Sequence, residues 1–390
     1  MVINLGIKKT GLILNPTENI IMDYLDDNKE KEGFYISDDE RNIDSKVIFA
    51  GRSQYTEEFK LYKKKWCDIL KSTDIDFRCL SGLHAHIITF MSIGNIGDTV
   101  LLLPEIAGGH FSTEKILHRL GFDVVLAEPD LNNYCINKDK TINLIKKHNP
   151  KFAFIDRSEG LYYEDFSWIS STNIPYLVFD ASQYLTQILC GTYTSPFDMG
   201  FNLILSTLHK NYPGPQKAIL ATKALDYYWK KITSGSAVYI SNSHPRDMFI
   251  AGQSINNYTR LKKYNSEMME VSISLEEYLY NNKIPVVRKK DNLIPTQHIW
   301  ITFKSKEECY STYQNLEKIG VYTNYRLLPY NLGVGLRLGV GGAIQAGLRK
   351  ENIYELSEII TQCYRFGYSE NLKSRVDRLI ELISYNGKII

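Results

Sequence analysis

Short apolar runs alternate with longer amphipathic stretches in the middle of the chain. The runs TVLLLP, DVVLAEP, KFAFID, YLVFD and FNLILS fall between residues 99 and 206, and stretches with helical spacing such as TEKILHRLG and TINLIKKH lie among them. Strands that recur with helices between them form right-handed crossovers and a mostly parallel sheet. The pattern therefore predicts an α/β fold.

The pattern changes towards both ends of the chain. Residues 1–55 are polar and show little periodicity around DDNKEKEG and SDDERN, which predicts an N-terminal arm. Residues 56–262 contain the alternating pattern and predict a large domain. Residues 263–390 combine helical stretches, such as NSEMMEVSISLEEYLYNN and KEECYSTYQNLEKIG, with the strand-like run HIWITF, and predict a smaller α+β domain.

Composition and charge exclude several classes of protein. Lys and Arg total 46 against 44 acidic residues, so the overall field does not recruit nucleic acid or anionic membranes. The apolar runs are shorter than the roughly 18 residues of a membrane helix, and the N-terminus does not resemble a secretory signal, which favours the cytoplasm. The six cysteines form no CxxC pair, which argues against a disulfide framework and a metal site.

A lysine and an aspartate each follow a predicted strand. Ligands of parallel sheets bind beyond the carboxyl ends of the strands, so we expect Asp180, after IPYLVF, and Lys210, after NLILSTLH, in one crevice. A lysine that a rigid turn holds still and partly desolvates can lose its proton and react with a carbonyl carbon. A carboxylate beside a pyridine nitrogen keeps that nitrogen protonated. The pair predicts a site for pyridoxal 5'-phosphate.

The segments around this pair resemble serine hydroxymethyltransferase, a fold type I pyridoxal-phosphate enzyme. The stretch LTQILCGTYTSPFDMGFNLILSTLHKNYPGP is similar to the region that ends in the family's T-H-K-x-x-x-G-P motif, PEIAGGHFST to P-x-G-G-H-L-T, and SGLHAH to S-G-S-x-A-N. The pieces NPTEN, SAVY, IAG and GLRLG recur in the family's order. The resemblance implies a mostly parallel seven-stranded sheet with helices on both faces, a smaller α+β C-terminal domain, and a homodimer with shared active sites.

The resemblance also implies roles for individual residues. Lys210 carries the cofactor, Asp180 pairs with its ring nitrogen, and His110 stacks on the ring and takes part in catalysis. Arg337 in GLRLG binds the substrate carboxylate through two charged hydrogen bonds, assisted by Thr17. The other implied positions are the catalytic Glu32 and the cofactor contacts Ser81, Gly82, Leu83, Ser158, Gln183, Thr207 and His209.

Several positions depart from the family's pattern. Gln183 stands in place of a histidine, Leu83 in place of the second serine of S-G-S, and Ile48 and Phe49 in place of a tyrosine pair. The glycine-rich loop that the partner subunit supplies in the family reads YISNSHPRD. Arg326 replaces an asparagine that contacts the pterin. Together these changes predict folate independence, and an Arg326 that either binds a carboxylate or phosphate of the second substrate or points to solvent.

We therefore predict a serine-hydroxymethyltransferase-like enzyme that makes or breaks a carbon–carbon bond at Cα of glycine or a β-hydroxy amino acid. This is aldol or transaldolase chemistry with an aldehyde-type partner, in specialised biosynthesis. Two alternatives stay open. Gln183 and the HKxxxGP turn also resemble class V aminotransferases and cysteine desulfurases. The other alternative is a homologue that binds the cofactor without turning over a substrate.

Overall fold

The computed structural model describes residues 11–14, 53–290 and 293–386. Its strands, in chain order, are β1 Leu12–Ile13, β2 Asp74–Asp76, β3 Thr99–Leu102, β4 Asp123–Leu126, β5 Pro129–Asp130, β6 Cys135–Ile136, β7 Phe152–Ile155, β8 Tyr176–Asp180, β9 Leu203–Thr207, β10 Ala218–Thr222, β11 Ile299–Thr302, β12 Val321–Tyr322, β13 Asn324–Leu328 and β14 Gly333–Leu338. Its helices are α1 Ser53–Leu70, α2 Gly82–Ile93, α3 Thr113–Arg119, α4 Lys138–His148, α5 Leu185–Leu189, α6 Tyr227–Tyr239, α7 Pro245–Gln253, α8 Tyr258–Asn281, α9 Lys306–Ile319, α10 Gly341–Gln345, α11 Ile353–Phe366 and α12 Glu370–Asn386.

Seven strands form the central sheet, in the order β2-β10-β9-β8-β7-β3-β4. Strand β10 runs antiparallel to β9 and β2, and the remaining neighbours are parallel. The predicted mostly parallel seven-stranded sheet is confirmed. The five predicted strands of this region are β3, β4, β7, β8 and β9, whereas β2 and β10 are not evident from the pattern.

The strands inside the sheet divide their side chains between two buried clusters. Val178 and Leu205 belong to the cluster formed with α2, α3 and α6. Their neighbours Phe179 and Ile204 belong to the cluster formed with α1, α5 and α7. Successive residues of a strand point to opposite faces, so near-continuous apolar runs are needed when both faces are covered. The predicted helices on both faces are confirmed.

The C-terminal part has a smaller sheet, in the order β11-β14-β13, and all its pairs are antiparallel. Helices α9, α11 and α12 pack together, and α9 also packs on β14. The strand-like run HIWITF forms β11, and the two helical stretches quoted for this region form α8 and α9. The predicted domain boundaries, after residues 55 and 262, fall inside α1 and α8. The division into an arm and two domains stays a prediction.

Two further findings concern the described residues. No helix among residues 53–290 and 293–386 is long and apolar enough to cross a bilayer. The six cysteines are free thiols, and Cys79, Cys309 and Cys363 are buried.

Candidate active site

The carboxyl ends of β8 and β9 meet the start of α2 at one edge of the central sheet. Strand β8 ends in Asp180, and β9 ends at Thr207, shortly before Lys210. Gly82, the first residue of α2, packs against Thr207, where a Cβ would lie 2.4 Å from the Thr207 Cγ2. Only glycine allows the helix to approach the strand this closely. The structure therefore brings the predicted lysine, aspartate and helix start together.

Asp180 is held by three hydrogen bonds. Its Oδ2 lies 2.7 Å from His86 Nε2, and its Oδ1 accepts from the Ser182 hydroxyl at 2.5 Å and from the Ser182 backbone N–H at 2.8 Å. Burial alone raises the pKa of this carboxyl, but His86, Ser182 and the charge of Lys210 outweigh burial and hold the pKa below its usual range. Asp180 is therefore a carboxylate at neutral pH, in a fixed orientation.

Lys210 is half-buried beside this carboxylate. Burial lowers the pKa of its ammonium group, and the positive charge of Arg337 lowers the pKa further, while Asp180 opposes both effects. A lowered pKa increases the fraction of free amine at neutral pH, which is the form that reacts with carbonyl carbons. The structure gives Lys210 the environment that the predicted chemistry needs.

The turn that carries His110 packs closely against the segment after β7 and is hydrogen-bonded to it. Gly108 has a φ of +84°, and a Cβ there would lie 1.8 Å from the backbone oxygen of Glu159. The Gly108 oxygen accepts from the backbone N–H groups of Ser158 and Glu159, at 2.8 and 3.0 Å. The predicted residues His110 and Ser158 thus belong to one rigid unit.

The His110 ring faces the centre of the site in a neutral state. Its centroid lies 6.0 Å from that of His86, and its Nδ1 lies 2.8 Å from the Ser112 hydroxyl. Burial, with the charges of His86 and Lys210, lowers the pKa of His110 to about 4. An uncharged imidazole is suited to stacking on an aromatic ring.

The start of α2 lies beside Thr207, and its first turn carries backbone N–H donors. Ser81 caps the helix by accepting from the His84 N–H at 3.2 Å, and the N–H groups of the first turn have no partner within a helix. Across the described ranges, the Thr207 Oγ1 and the His209 Nδ1 are buried with no hydrogen-bond partner. Burial lowers the pKa of His209 to about 4. Leu83 is 42% exposed and adds no hydroxyl.

Gln183 is buried, and its side chain is engaged within the chain. Its Oε1 lies 3.3 Å from the His298 Nε2, and its backbone oxygen accepts from the Gln297 Nε2 at 2.9 Å. His298 is fully buried, which lowers its pKa far below the usual range, so the ring is neutral. The predicted contact of Gln183 with the cofactor stays a prediction.

Arg337 and Arg326 both contact the carboxylate of Glu159. Arg337 is 1% exposed, and its NH1 lies 3.4 Å from the Ser158 oxygen and 3.5 Å from the Glu159 Oε1. Arg326 NH2 forms an ion pair with the same Glu159 oxygen. Arg326 thus has an anionic partner within its own chain, and the two expectations for this residue stay predictions.

Some predicted residues lie outside the described ranges, and some important residues were missed by the prediction. Thr17 and Glu32 belong to the first group, as do Ile48 and Phe49.

The missed residues are His86, Glu159 and His298. Two of them had a signal: His86 stands at the asparagine of the S-G-S-x-A-N pattern, and Glu159 follows Ser158 directly. His298 begins an apolar strand and had none.

The fold is that of the fold type I pyridoxal-phosphate enzymes. The structure matches an L-threonine transaldolase from Pseudomonas fluorescens, solved in its internal aldimine state, with a TM-score of 0.87 and 16% sequence identity. The match covers 96% of this chain and 88% of that chain. At this identity the likeness shows the fold, and the predicted fold class is confirmed.

The sequence is similar to two kinds of curated relative, and no family model matches it. A serine hydroxymethyltransferase of Picrophilus torridus is 25% identical over 311 residues, which are 75% of this chain and 70% of the relative. A fluorothreonine transaldolase of Streptantibioticus cattleyicolor is 25% identical over 288 residues, which are 73% of this chain and 45% of the relative. The relatives are pyridoxal-phosphate-dependent enzymes, and the predicted resemblance is confirmed.

Proposed function

We propose that this chain is a pyridoxal-phosphate-dependent enzyme that makes or breaks a carbon–carbon bond at Cα of glycine or a β-hydroxy amino acid. The observation that carries the proposal is the half-buried Lys210, whose pKa is lowered, in one crevice with the ionised Asp180. Arg337 adds a buried cation for an amino-acid carboxylate. The transaldolases among the similar proteins support this reaction type.

The donors of the site fit pyridoxal phosphate. Lys210 would hold its carbonyl carbon, and Asp180 would hold a proton on its ring nitrogen. The α2 start and the Thr207 hydroxyl, which is buried without a partner, would bind its phosphate. His110 would lie against its ring. When bound, the cofactor supplies a pyridinium ring that accepts the electron pair of a bond broken at Cα.

The substrate is positioned by the chain's own charged groups. Arg337 would bind the amino-acid carboxylate through its planar guanidinium, which orients the bonds at Cα. Lys210, whose pKa burial lowers, would be the amine that accepts or returns a proton at Cα. Glu32 remains a predicted proton carrier. The aldehyde-type partner is also part of the proposal.

Retro-aldol cleavage of a β-hydroxy amino acid such as threonine is expected without tetrahydrofolate. The assay incubates the cofactor-loaded enzyme with a panel of β-hydroxy amino acids and identifies glycine and the aldehyde by mass spectrometry. Adding tetrahydrofolate should leave the rates unchanged. The reason is the loss of three folate-related features, which are the tyrosine pair, the glycine-rich loop and the pterin-contacting asparagine.

The same assay distinguishes the competing reactions. Serine-to-glycine conversion that strictly requires tetrahydrofolate would contradict folate independence. If cysteine and a 2-oxo acid are added to the panel, transfer of the amino group to the oxo acid, or a persulfide formed from cysteine, would replace aldol chemistry with the aminotransferase or desulfurase alternative. If the cofactor-loaded protein converts none of the amino acids, alone or with an aldehyde, the result would support the other alternative. In that alternative, the protein binds the cofactor without turning over a substrate.

We also propose a homodimer. Apolar side chains of α2 and α6 that lie close together are exposed: Met91 by 41%, Tyr227 by 63%, Val238 by 74% and Tyr239 by 45%. Tyr239 begins the segment YISNSHPRD, which stands where the family has the phosphate loop shared between subunits. Lys217 holds this loop by donating to the Ser243 oxygen at 2.7 Å. A contiguous apolar patch of this kind suits a protein–protein contact.

Val238→Asp is expected to weaken the dimer by at least about tenfold, because burying an unpaired carboxylate in an interface costs more than about 1.4 kcal/mol. Analytical ultracentrifugation over a range of concentrations measures the change. Leu382→Asp, at a side chain on α12 that is 53% exposed, is the matched control and should leave the dimer intact. A wild-type protein that is monomeric and fully active at assay concentrations would exclude the dimer.

A cytoplasmic location completes the proposal. The free thiols of all six cysteines support it, because cysteines of reducing compartments stay unpaired.

A further inference from the structure

Arg326 and Arg337 reach the site from neighbouring strands of the small sheet. Arg326 of β13 pairs with Gly335 of β14, and Arg337 lies two positions further along β14. Paired residues, and residues two apart on one strand, share a face of the sheet. Both guanidinium groups therefore extend from the same face towards the large domain.

The carboxylate of Glu159 is almost fully buried and contacts both guanidinium groups. Its side chain is 3% exposed, and Oε1 contacts Arg326 NH2 much more closely than it contacts Arg337 NH1, which is 3.5 Å away. Within the described part of the chain, Oε2 is buried without a hydrogen-bond partner. A carboxylate this buried needs a strong partner to stay ionised. The contact with Arg337 NH1 is long for this purpose, which leaves the ion pair with Arg326 as that partner.

Arg337 makes the longer of the two contacts with the Glu159 carboxylate. Its contacts at 3.4 and 3.5 Å are long for hydrogen bonds. Its Nε is buried and, over the residues that the structure describes, has no partner. Burial lowers the pKa of Arg337 to about 10, so the guanidinium is still charged at neutral pH. A buried cation with such contacts is stabilised when a second anion joins it.

The charges of the three groups do not balance. Two guanidinium groups share one carboxylate, so the cluster has a surplus positive charge that one monoanionic ligand neutralises. Glu105 also attracts Arg326, but it is exposed, and solvent screens its charge.

We propose that Arg326 is a positioning residue for substrate recognition. By binding Glu159, it prevents this carboxylate from neutralising Arg337, whose charge is then available to the single carboxylate of the amino-acid substrate. The inference rests on the proposed function, in which Arg337 binds that carboxylate. It gives Arg326 no contact with the second substrate, which therefore needs no carboxylate or phosphate of its own.

The test measures glycine affinity and turnover of the cofactor-loaded wild type, Arg326→Asn, Glu159→Gln and the double variant. Arg326→Asn should raise the glycine dissociation constant by about ten- to a hundredfold, because the released Glu159 competes with glycine for Arg337. Its kcat at saturating glycine should change far less. Glu159→Gln should bind glycine at least as well as the wild type.

The double variant separates positioning from a structural role. Once Glu159 is neutral, losing Arg326 no longer harms Arg337, so Glu159→Gln combined with Arg326→Asn should recover most of the lost affinity. A merely structural Arg326 would give no such recovery, since two packing defects add. Arg326→Lys keeps the positive charge and should therefore lose less glycine affinity than Arg326→Asn. It is the variant to measure if Arg326→Asn does not fold.

Arg375→Asn is the matched control. Arg375 pairs with Glu355 at 2.8 Å in the small domain, away from the site, and its loss should leave glycine binding unchanged. Arg326→Asn with wild-type affinity would overturn the inference, as would a double variant as weak as Arg326→Asn. A wild-type enzyme that binds no amino acid at all would instead reject the proposed function, and the inference with it.

Discussion

Lys210→Arg is expected to lower turnover by at least about 10³-fold, because in the proposed function Lys210 is the amine that holds the cofactor and moves protons at Cα. The yellow colour of the purified wild-type enzyme should be lost in this variant. Borohydride reduction of the wild type followed by peptide mapping should find the reduced cofactor on residue 210. The half-buried position of Lys210 beside Asp180 is the physical reason.

Lys217 is the matched control for this experiment. It is also buried, and burial lowers its pKa to about 8, so a lowered pKa alone does not distinguish the two lysines. Lys217, however, donates to the backbone oxygens of Arg78 and Ser243, at 3.0 and 2.7 Å. Lys217→Arg should keep the cofactor on residue 210. A label on Lys217, or on no lysine of a loaded sample, would overturn the proposed chemistry.

Asp180→Asn is expected to lower turnover by about 10²- to 10⁴-fold while the cofactor stays attached to Lys210. The neutral amide no longer stabilises a proton on the ring nitrogen, so the ring accepts electrons from Cα less readily. NMR measures how fast the glycine α-proton exchanges for deuterium from the solvent. This rate reports directly how readily Cα loses its proton. The visible spectrum shows whether the cofactor is still bound.

Asp226→Asn is the control for replacing an aspartate with asparagine. Asp226 caps α6 by accepting from the Trp229 N–H at 2.8 Å, and asparagine caps a helix equally well. This variant should exchange the α-proton at the wild-type rate. His86→Asn, which can keep a hydrogen bond to Asp180, should lose less activity than Asp180→Asn. Undiminished exchange in Asp180→Asn would show that the ring nitrogen needs no carboxylate.

The predictability of the sheet differed from strand to strand. The strands β7, β8 and β9 are buried on both faces, and such strands read as apolar runs that stand out from the helices between them. Strand β2 is a three-residue segment, Asp-Ile-Asp, with no such run. Its existence depends on pairing with β10, which places Leu220 opposite Asp76. Long-range pairing of this kind leaves no local pattern.

The residues of the candidate site also differed in how well the sequence predicted them. Lys210 and Asp180 follow recognisable strands, so their convergence at one edge of the sheet was predictable from the chain order. The contact of His86 with Asp180 joins residues 94 positions apart, and the histidine lies on a helix whose apolar residues predict a core position. The positions in residues 15–52, Thr17 and Glu32 among them, stay predictions.

The sequence by itself determined the α/β class, the large domain's alternation of strands and helices, and the lysine–aspartate pair, because local periodicity and strand ends encode them. Only the tertiary structure decided which charges neutralise each other. Glu159 follows β7 of the central sheet, whereas Arg326 and Arg337 belong to the small sheet, and nothing local in any of the three segments selects the others. Their pairing depends on how the two parts pack, because burial forces a carboxylate to find a cation within reach.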